Sequence, residues 1–228
     1  PGKGSLKSHH KTPPIKGVSA LKAGIIYGAN ASGKSNLIKA IDFGKKTVLK
    51  GTKPEQPIST SFYKLDNKFL NKPTYVEYEI QHKGKNYAYG FILNAKEIID
   101  EWLFEISRSG EVKVFERRNT TIYNLNFLFK KNKTSEEKQF LGFTAKGTPR
   151  NQLLITQIRN TNVTDNVTDI QDILNVLDWF QNALTVIYPG TKNISKKFEL
   201  HKDTNLQQVF KDMLEYFDTG IDGIEFKE

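Results

Sequence analysis

The chain has no cysteine, one methionine (Met213), two tryptophans and no apolar run approaching the ~20 residues that a bilayer-crossing helix needs. Without cysteine there are no disulfides and no thiolate-held metal, which fits a reducing compartment; a cytoplasmic location without membrane association is expected. No charged-then-apolar leader precedes the first apolar segment. The Asn-X-Thr sequences at Asn162 and Asn166 are then expected to stay unmodified. Acidic residues are in deficit, 25 against 34 Lys and Arg, so the net charge is +9 and the isoelectric point is near 9.4. That balance suits an anionic partner, and contact with nucleic acid is one expectation. Most of the excess is lysine scattered among asparagine and isoleucine, however, as an AT-rich coding sequence would give. The first residue is proline, so the sequence is expected to be a fragment of a longer chain.

What is present is concentrated in residues 28–35, Gly-Ala-Asn-Ala-Ser-Gly-Lys-Ser, a complete phosphate-binding loop pattern. Before it, Ala23–Tyr27 is the short apolar run expected of a buried parallel strand; after it, Leu37, Ile38 and Ile41 recur at helical spacing. Two glycines, Gly28 and Gly33, free the backbone so that successive amides turn inward around phosphate oxygens at a helix N-terminus. Lys34 is expected to reach the β- and γ-phosphates, and Ser35 to place its hydroxyl on Mg²⁺. The expected binding segment is therefore Gly28, Ala29, Asn30, Ala31, Ser32, Gly33, Lys34, Ser35 and Asn36, taking ATP with Mg²⁺, and Ser35 is the candidate metal ligand.

The first helix is predicted from about Lys34 to Lys50, ended by Gly51 and Pro54, with a possible break at Gly44. The period then changes. Thr74–Ile80, Tyr87–Leu93, Ile98–Ile106 and Val112–Arg117 alternate between turn signals, which predicts an antiparallel meander, with a further strand over 121–129. The last third reads as helical: a stripe from Ile170 to Ile187 capped by Thr168 or Asp169, then one from Leu206 to Phe217 started near Thr204, both expected to face a core. The repeat at 162–169 is read as a polar linker, since calcium-loop spacing is missing.

Hydrolysis needs an acid at the end of an apolar strand, and the nearest match, Ile98-Ile99-Asp100-Glu101, lacks the apolar lead-in, so a solvated strand position is expected for it. Leu153–Thr156 is apolar enough, but Gln157 follows where an acid is required. No catalytic residue is assigned within the chain. His9 and His10 read as loop residues, and neither His82 nor His201 has a partner that makes a nucleophile or metal site. Lys130, Lys131, Lys133, Lys138, Lys146 and Arg150 form the best candidate for touching a polyanion. The nearby Phe127, Phe129, Phe140 and Phe143 are spaced like packed strand residues rather than a base-stacking platform.

Tyr27–Asn36 followed by Leu-Ile-Lys-Ala-Ile resembles the Walker A segment of ABC-type ATPases related to the Rad50 and SMC proteins, and more closely that of the RloA-type and OLD-type ATPases of bacterial defence systems. Asn86–Phe91, Ile99–Phe104 and Val114–Arg118 are similar to that family's β-rich subdomain. The resemblance implies an α/β fold, a P-loop ABC-type ATPase core half with an antiparallel β-meander subdomain and a helical insert. It divides the chain into a P-loop segment over 1–60, a β-subdomain over 61–150 and a helical segment over 151–228. It further implies that signature and Walker B motifs lie outside the sequence, that two heads sandwich ATP in a homodimer or higher oligomer, and that an effector such as a nuclease assembles on them. Gln56 is a candidate for sensing the γ-phosphate. The alternatives are a DNA-repair head of the Rad50 kind, disfavoured by the lack of long heptad arms, and a nucleotide-gated scaffold without turnover.

Overall fold

The computed structural model describes residues 10–60, 68, 72–126, 134–161, 170–190 and 203–216. The chain forms two compact units, Pro1–Val186 and Ile187–Glu228. In the first, five strands follow one another in space as in sequence: β1 (Thr74–His82), β2 (Lys85–Leu93), β3 (Ile98–Ser107), β4 (Gly110–Arg118) and β5 (Ile122–Asn124), all antiparallel. The predicted meander is there, and its last strand is three residues rather than nine, with 127–129 outside the described residues. The tightest turn shows why the register holds. Lys83 and Gly84 both take positive φ, +47° and +76°, the mirror-image turn whose twist matches a two-residue hairpin.

One face of the sheet is apolar and buried: Tyr87, Tyr89 and Phe91 on β2, Leu103 on β3 and Phe115 on β4 are fully enclosed. Against it pack α1 (Lys34–Lys50), α2 (Ser135–Lys146), α3 (Leu154–Asn160) and α4 (Gln171–Asp178), through Val48, Leu141, Leu154, Ile158, Ile173 and Val176. Helix α2 starts at a complete capping box: Thr134 Oγ1 accepts from Glu137 N–H, and Glu137 Oε2 from Thr134 N–H. The stripe expected over 170–187 ends earlier. After α4 the chain widens into a π-turn, Trp179–Ala183, that sets Phe180 edge-on to Tyr78 (4.9 Å, 84°) and Tyr89 (5.9 Å, 77°). Its expected caps, Thr168 and Asp169, lie outside the described residues.

Helix α1 has the predicted bounds and runs unbroken through Gly44. Tyr78 explains the glycine: its hydroxyl donates to Ile41 O at 2.9 Å, so close to the helix that a Cβ on Gly44 would lie 2.0 Å from Tyr78 Oη. Gly44→Ala therefore sets a helix-propensity gain of about 1 kcal/mol against overpacking of about 1–3 kcal/mol. A net loss on the order of 1 kcal/mol is expected in urea unfolding, where a more stable variant would refute this contact. At its other end α1 is tied to α3: Thr156 Oγ1 donates to Val48 O at 2.8 Å, and Arg159 donates to Leu49 O.

Glu101 departs most from its expected solvated position. It is fully buried, with Oε1 accepting from Tyr89 Oη (3.0 Å) and Ile155 N (3.2 Å) and Oε2 from Leu154 N (2.6 Å), so a strand carboxylate caps the first turn of α3. Its cross-strand partner Arg117 is equally buried and donates to the carbonyls of Thr120 (2.7 Å) and Gln152 (2.6 Å). Burial pushes the Glu101 carboxyl above its usual range; Arg117, the two amides and the tyrosine hydroxyl oppose that. Leu153–Thr156, apolar enough for a strand, starts this helix instead.

The second unit holds α5 (Thr204–Tyr216), opened by Asp203, whose Oδ1 accepts from the amides of Asn205 and Leu206. Of its stripe, expected to face a core, Leu206, Val209, Phe210 and Met213 are exposed among the described residues, and Phe217 lies outside them. Among the described residues no helix is long and apolar enough to cross a membrane.

Candidate functional site

The segment between Tyr27 and Asn36 closes into a ring about one ammonium group. Lys34 Nζ donates to Gly28 O at 2.5 Å and Ala29 O at 2.6 Å, and more loosely to Ser32 Oγ at 3.4 Å. Ser32 N–H turns back to Ala29 O at 3.2 Å, which tightens the bend. Each glycine has a separate reason. Gly33 sits at φ +95°, a left-handed conformation that lets α1 begin directly after the bend. A Cβ on Gly28 would meet Ser32 Oγ at 2.6 Å. Ala31 also takes a left-handed backbone, φ +63°, although it carries a Cβ, so the loop is held in a conformation that costs on the order of 1 kcal/mol or more.

This wrapping leaves donors over. Asn36 and Leu37 amides bond to Gly33 O, but those of Gly33, Lys34 and Ser35 have no acceptor among the described residues. They stand at the positive end of a 17-residue helix, beside an ammonium whose third hydrogen bond is long, and beside the exposed Ser35 hydroxyl. Such a set of donors fits a phosphate chain: the ammonium can exchange the weak contact to Ser32 for a phosphate oxygen without leaving the ring. Asn30 and Asn36 flank the same bend and are exposed. Lys34, Ser35 and the loop glycines are thus brought together in space as well as in sequence.

The strand expected before the loop is not formed. Ala23–Tyr27 has no strand assignment and no ladder partner among the described residues, and Ile25 and Tyr27 are 76% and 85% exposed. Leu37 and Ile38, on the first turns of α1, are exposed too. A parallel strand takes its hydrogen bonds from neighbours on both sides, and the meander, whose β1–β5 pair only among themselves, provides none.

Other candidates lie elsewhere. Gln56 follows the C-terminal end of α1, which is about 25 Å long, whereas Lys34 is at its start. Gln56 lines a cleft of about 510 Å³ with Pro54, Lys96 and Arg150, and Asn151 holds its carbonyl and that of Lys53 at 2.8 Å each. It is not placed to sense a phosphate on the loop. Asp100 and Glu101 serve packing: Asp100 Oδ1 accepts from Asn119 N–H at 2.9 Å, and Glu101 caps α3. His82 has a carboxylate partner, Asp178 at 2.6 Å, which Lys83 and Asn182 also contact. Those bonds hold Asp178 well below the usual carboxylate range, and no nucleophile is bonded to them among the described residues. Among the described residues no group of three His, Asp or Glu is placed for a metal ion.

Lys130, Lys131 and Lys133 of the basic stretch lie outside the described residues; of Lys138, Lys146 and Arg150, which are described, Arg150 is engaged by Glu97 at 2.7 Å. Phe140 and Phe143 lie on helix α2, not on a strand, and both are exposed. Sequence reasoning missed Tyr78, Thr156 and Arg159, which fasten the helix that begins at Lys34. The one local signal was a glycine inside a helical stripe, a mark of close approach.

A protein-family model described as "AAA domain, putative AbiEii toxin, Type IV TA system" matches residues 25–151, from just before the loop to just before α3. No curated protein and no solved structure gives a significant match.

Proposed function

This chain belongs to the "AAA domain, putative AbiEii toxin, Type IV TA system" family, and from that premise we propose that it is the ATP-binding part of a prokaryotic defence ATPase of the RloA or OLD kind, in which Mg-ATP controls head dimerisation and effector assembly. The observation that carries the reading is the closed loop with three amides to spare at the start of α1. Bound Mg-ATP would supply the triphosphate and the divalent charge that offsets it. The residues of the chain do the rest. The amides of Gly33, Lys34 and Ser35 bind phosphate oxygens, Lys34 Nζ neutralises charge at the β- and γ-positions, and Ser35 Oγ offers a ligand to the cation. Gly28 and Gly33 keep the backbone close enough for those contacts.

Turnover is assigned to a composite site made by two such heads, and the effector is taken to be a nuclease.

Calorimetric titration with Mg-ATP and Mg-AMP tests the binding step. Saturable heat with Mg-ATP and none with Mg-AMP is expected, because the latter lacks the β- and γ-phosphates that the ring is built to hold. Absence of Mg-ATP binding at millimolar concentration would remove the reading.

A further inference from the structure

The outer face of the meander runs against the charge of the chain. Along β1 the alternation sends Val76, Tyr78 and Ile80 toward the helices and leaves Tyr75, Glu77 and Glu79 exposed on the opposite face. Glu77 accepts a hydrogen bond from Trp102 Nε1 at 2.8 Å, and neither Glu77 nor Glu79 forms an ion pair among the described residues. Glu116, three strands further on the same face, is by contrast neutralised by Lys113 and Arg118. On a chain of net charge +9 these two carboxylates therefore stand uncompensated.

They also stand at an edge. β1 pairs with β2 alone, and along its nine residues the other side has no backbone partner among the described residues. A free edge of that length is a template for another strand. Two copies of β1 would place glutamates against glutamates, so the carboxylates disfavour pairing with a second copy, and they repel nucleic acid.

We propose that the free edge of β1 docks an extended, basic segment of a partner protein. That segment adds a sixth strand and sets alternate Lys or Arg side chains against Glu77 and Glu79. The spacing fits: residues two apart on a strand lie about 6.5–7 Å from each other on one face, the separation of alternate side chains on the incoming strand. Its intervening side chains fall beside Val76 and Tyr78, which are only half-buried and lie on the apolar face, so the motif alternates basic with apolar residues.

The probe is a labelled peptide, acetyl-Lys-Val-Lys-Val-Lys-Val-amide, titrated with the whole chain and followed by anisotropy and by tryptophan emission, since Trp102 touches Glu77 directly. Saturable binding that weakens with salt is expected. The double variant Glu77→Lys/Glu79→Lys should bind it roughly tenfold less tightly or worse, and should take the Glu-Val counterpart instead. A peptide N-methylated at alternate residues, which loses the donors of one strand edge, should not bind. If the double variant fails to fold by circular dichroism, Glu79→Lys alone is read in the same way, because that side chain is exposed and forms no ion pair among the described residues. No saturable binding to the unaltered chain, equal affinity after charge reversal, or equal affinity of the N-methylated peptide would each overturn the proposal.

Discussion

Lys34→Ala is expected to abolish measurable Mg-ATP binding, a loss on the order of a hundredfold or more. The ammonium does two jobs that alanine cannot do. It ties the loop shut through Gly28 O and Ala29 O, and it is the only cation within the ring set against the charge of a triphosphate. With it gone, the three spare amides remain, but the bend that aims them loses its central fastening. The side chain is only partly covered and belongs to no apolar cluster, so the far-ultraviolet spectrum and the unfolding midpoint should stay close to those of the unaltered chain. Lys34→Arg should also fail: a planar guanidinium does not fit a ring of carbonyls closed around one point charge. Micromolar Mg-ATP affinity retained by the alanine variant would remove Lys34, and with it the loop, from the binding site.

The largest stability effect is expected at Glu101. Truncation to alanine leaves Tyr89 Oη and the amides of Leu154 and Ile155 without their acceptor, and leaves Arg117 buried without its carboxylate neighbour. Leaving a buried donor without its acceptor costs about 1–3 kcal/mol for each, so the three together are a large part of the 5–15 kcal/mol of a typical domain. Glu101→Gln keeps one acceptor oxygen and the shape, so it should lose clearly less. Urea unfolding separates the two: a midpoint for the alanine variant no lower than that of the glutamine variant would show that the capping of α3 is not what this carboxylate contributes. The damage should extend to the C-terminal end of α1, because α3 supplies Thr156 and Arg159 to its last carbonyls.

How much of this was legible in the sequence follows from the range of the forces involved. Helix α1 was legible to the residue because its start and stop are local: a loop pattern before it and Gly51, at φ +65°, after it. The meander was legible because alternation and two-residue turns act between neighbours. Glu101 was misread because its burial depends on Arg117 from the next strand and on amides 53 and 54 residues further on. The strand at Ala23–Tyr27 was misread for a related reason: an apolar run signals capacity to pair, while pairing itself needs neighbours that no local pattern reports. Phe140 and Phe143 misled through period, since a spacing of three suits a helix as readily as it breaks a strand. In the loop the residue types were legible, but the ring was not: that Lys34 bonds backward to Gly28 and Ala29 is a matter of geometry alone.

The anchoring of α1 bears on the order in which the molecule assembles. Hairpins joined in sequence close short loops, and the sheet can form early on local contacts. The tethers of α1 span much longer separations: 37 residues from Ile41 to Tyr78, 108 from Val48 to Thr156 and 139 from Lys45 to Leu184. Each of these closures costs about 1–2 kcal/mol more than closing a ten-residue loop, so the helix that presents the phosphate loop is expected to be fastened after the sheet has formed.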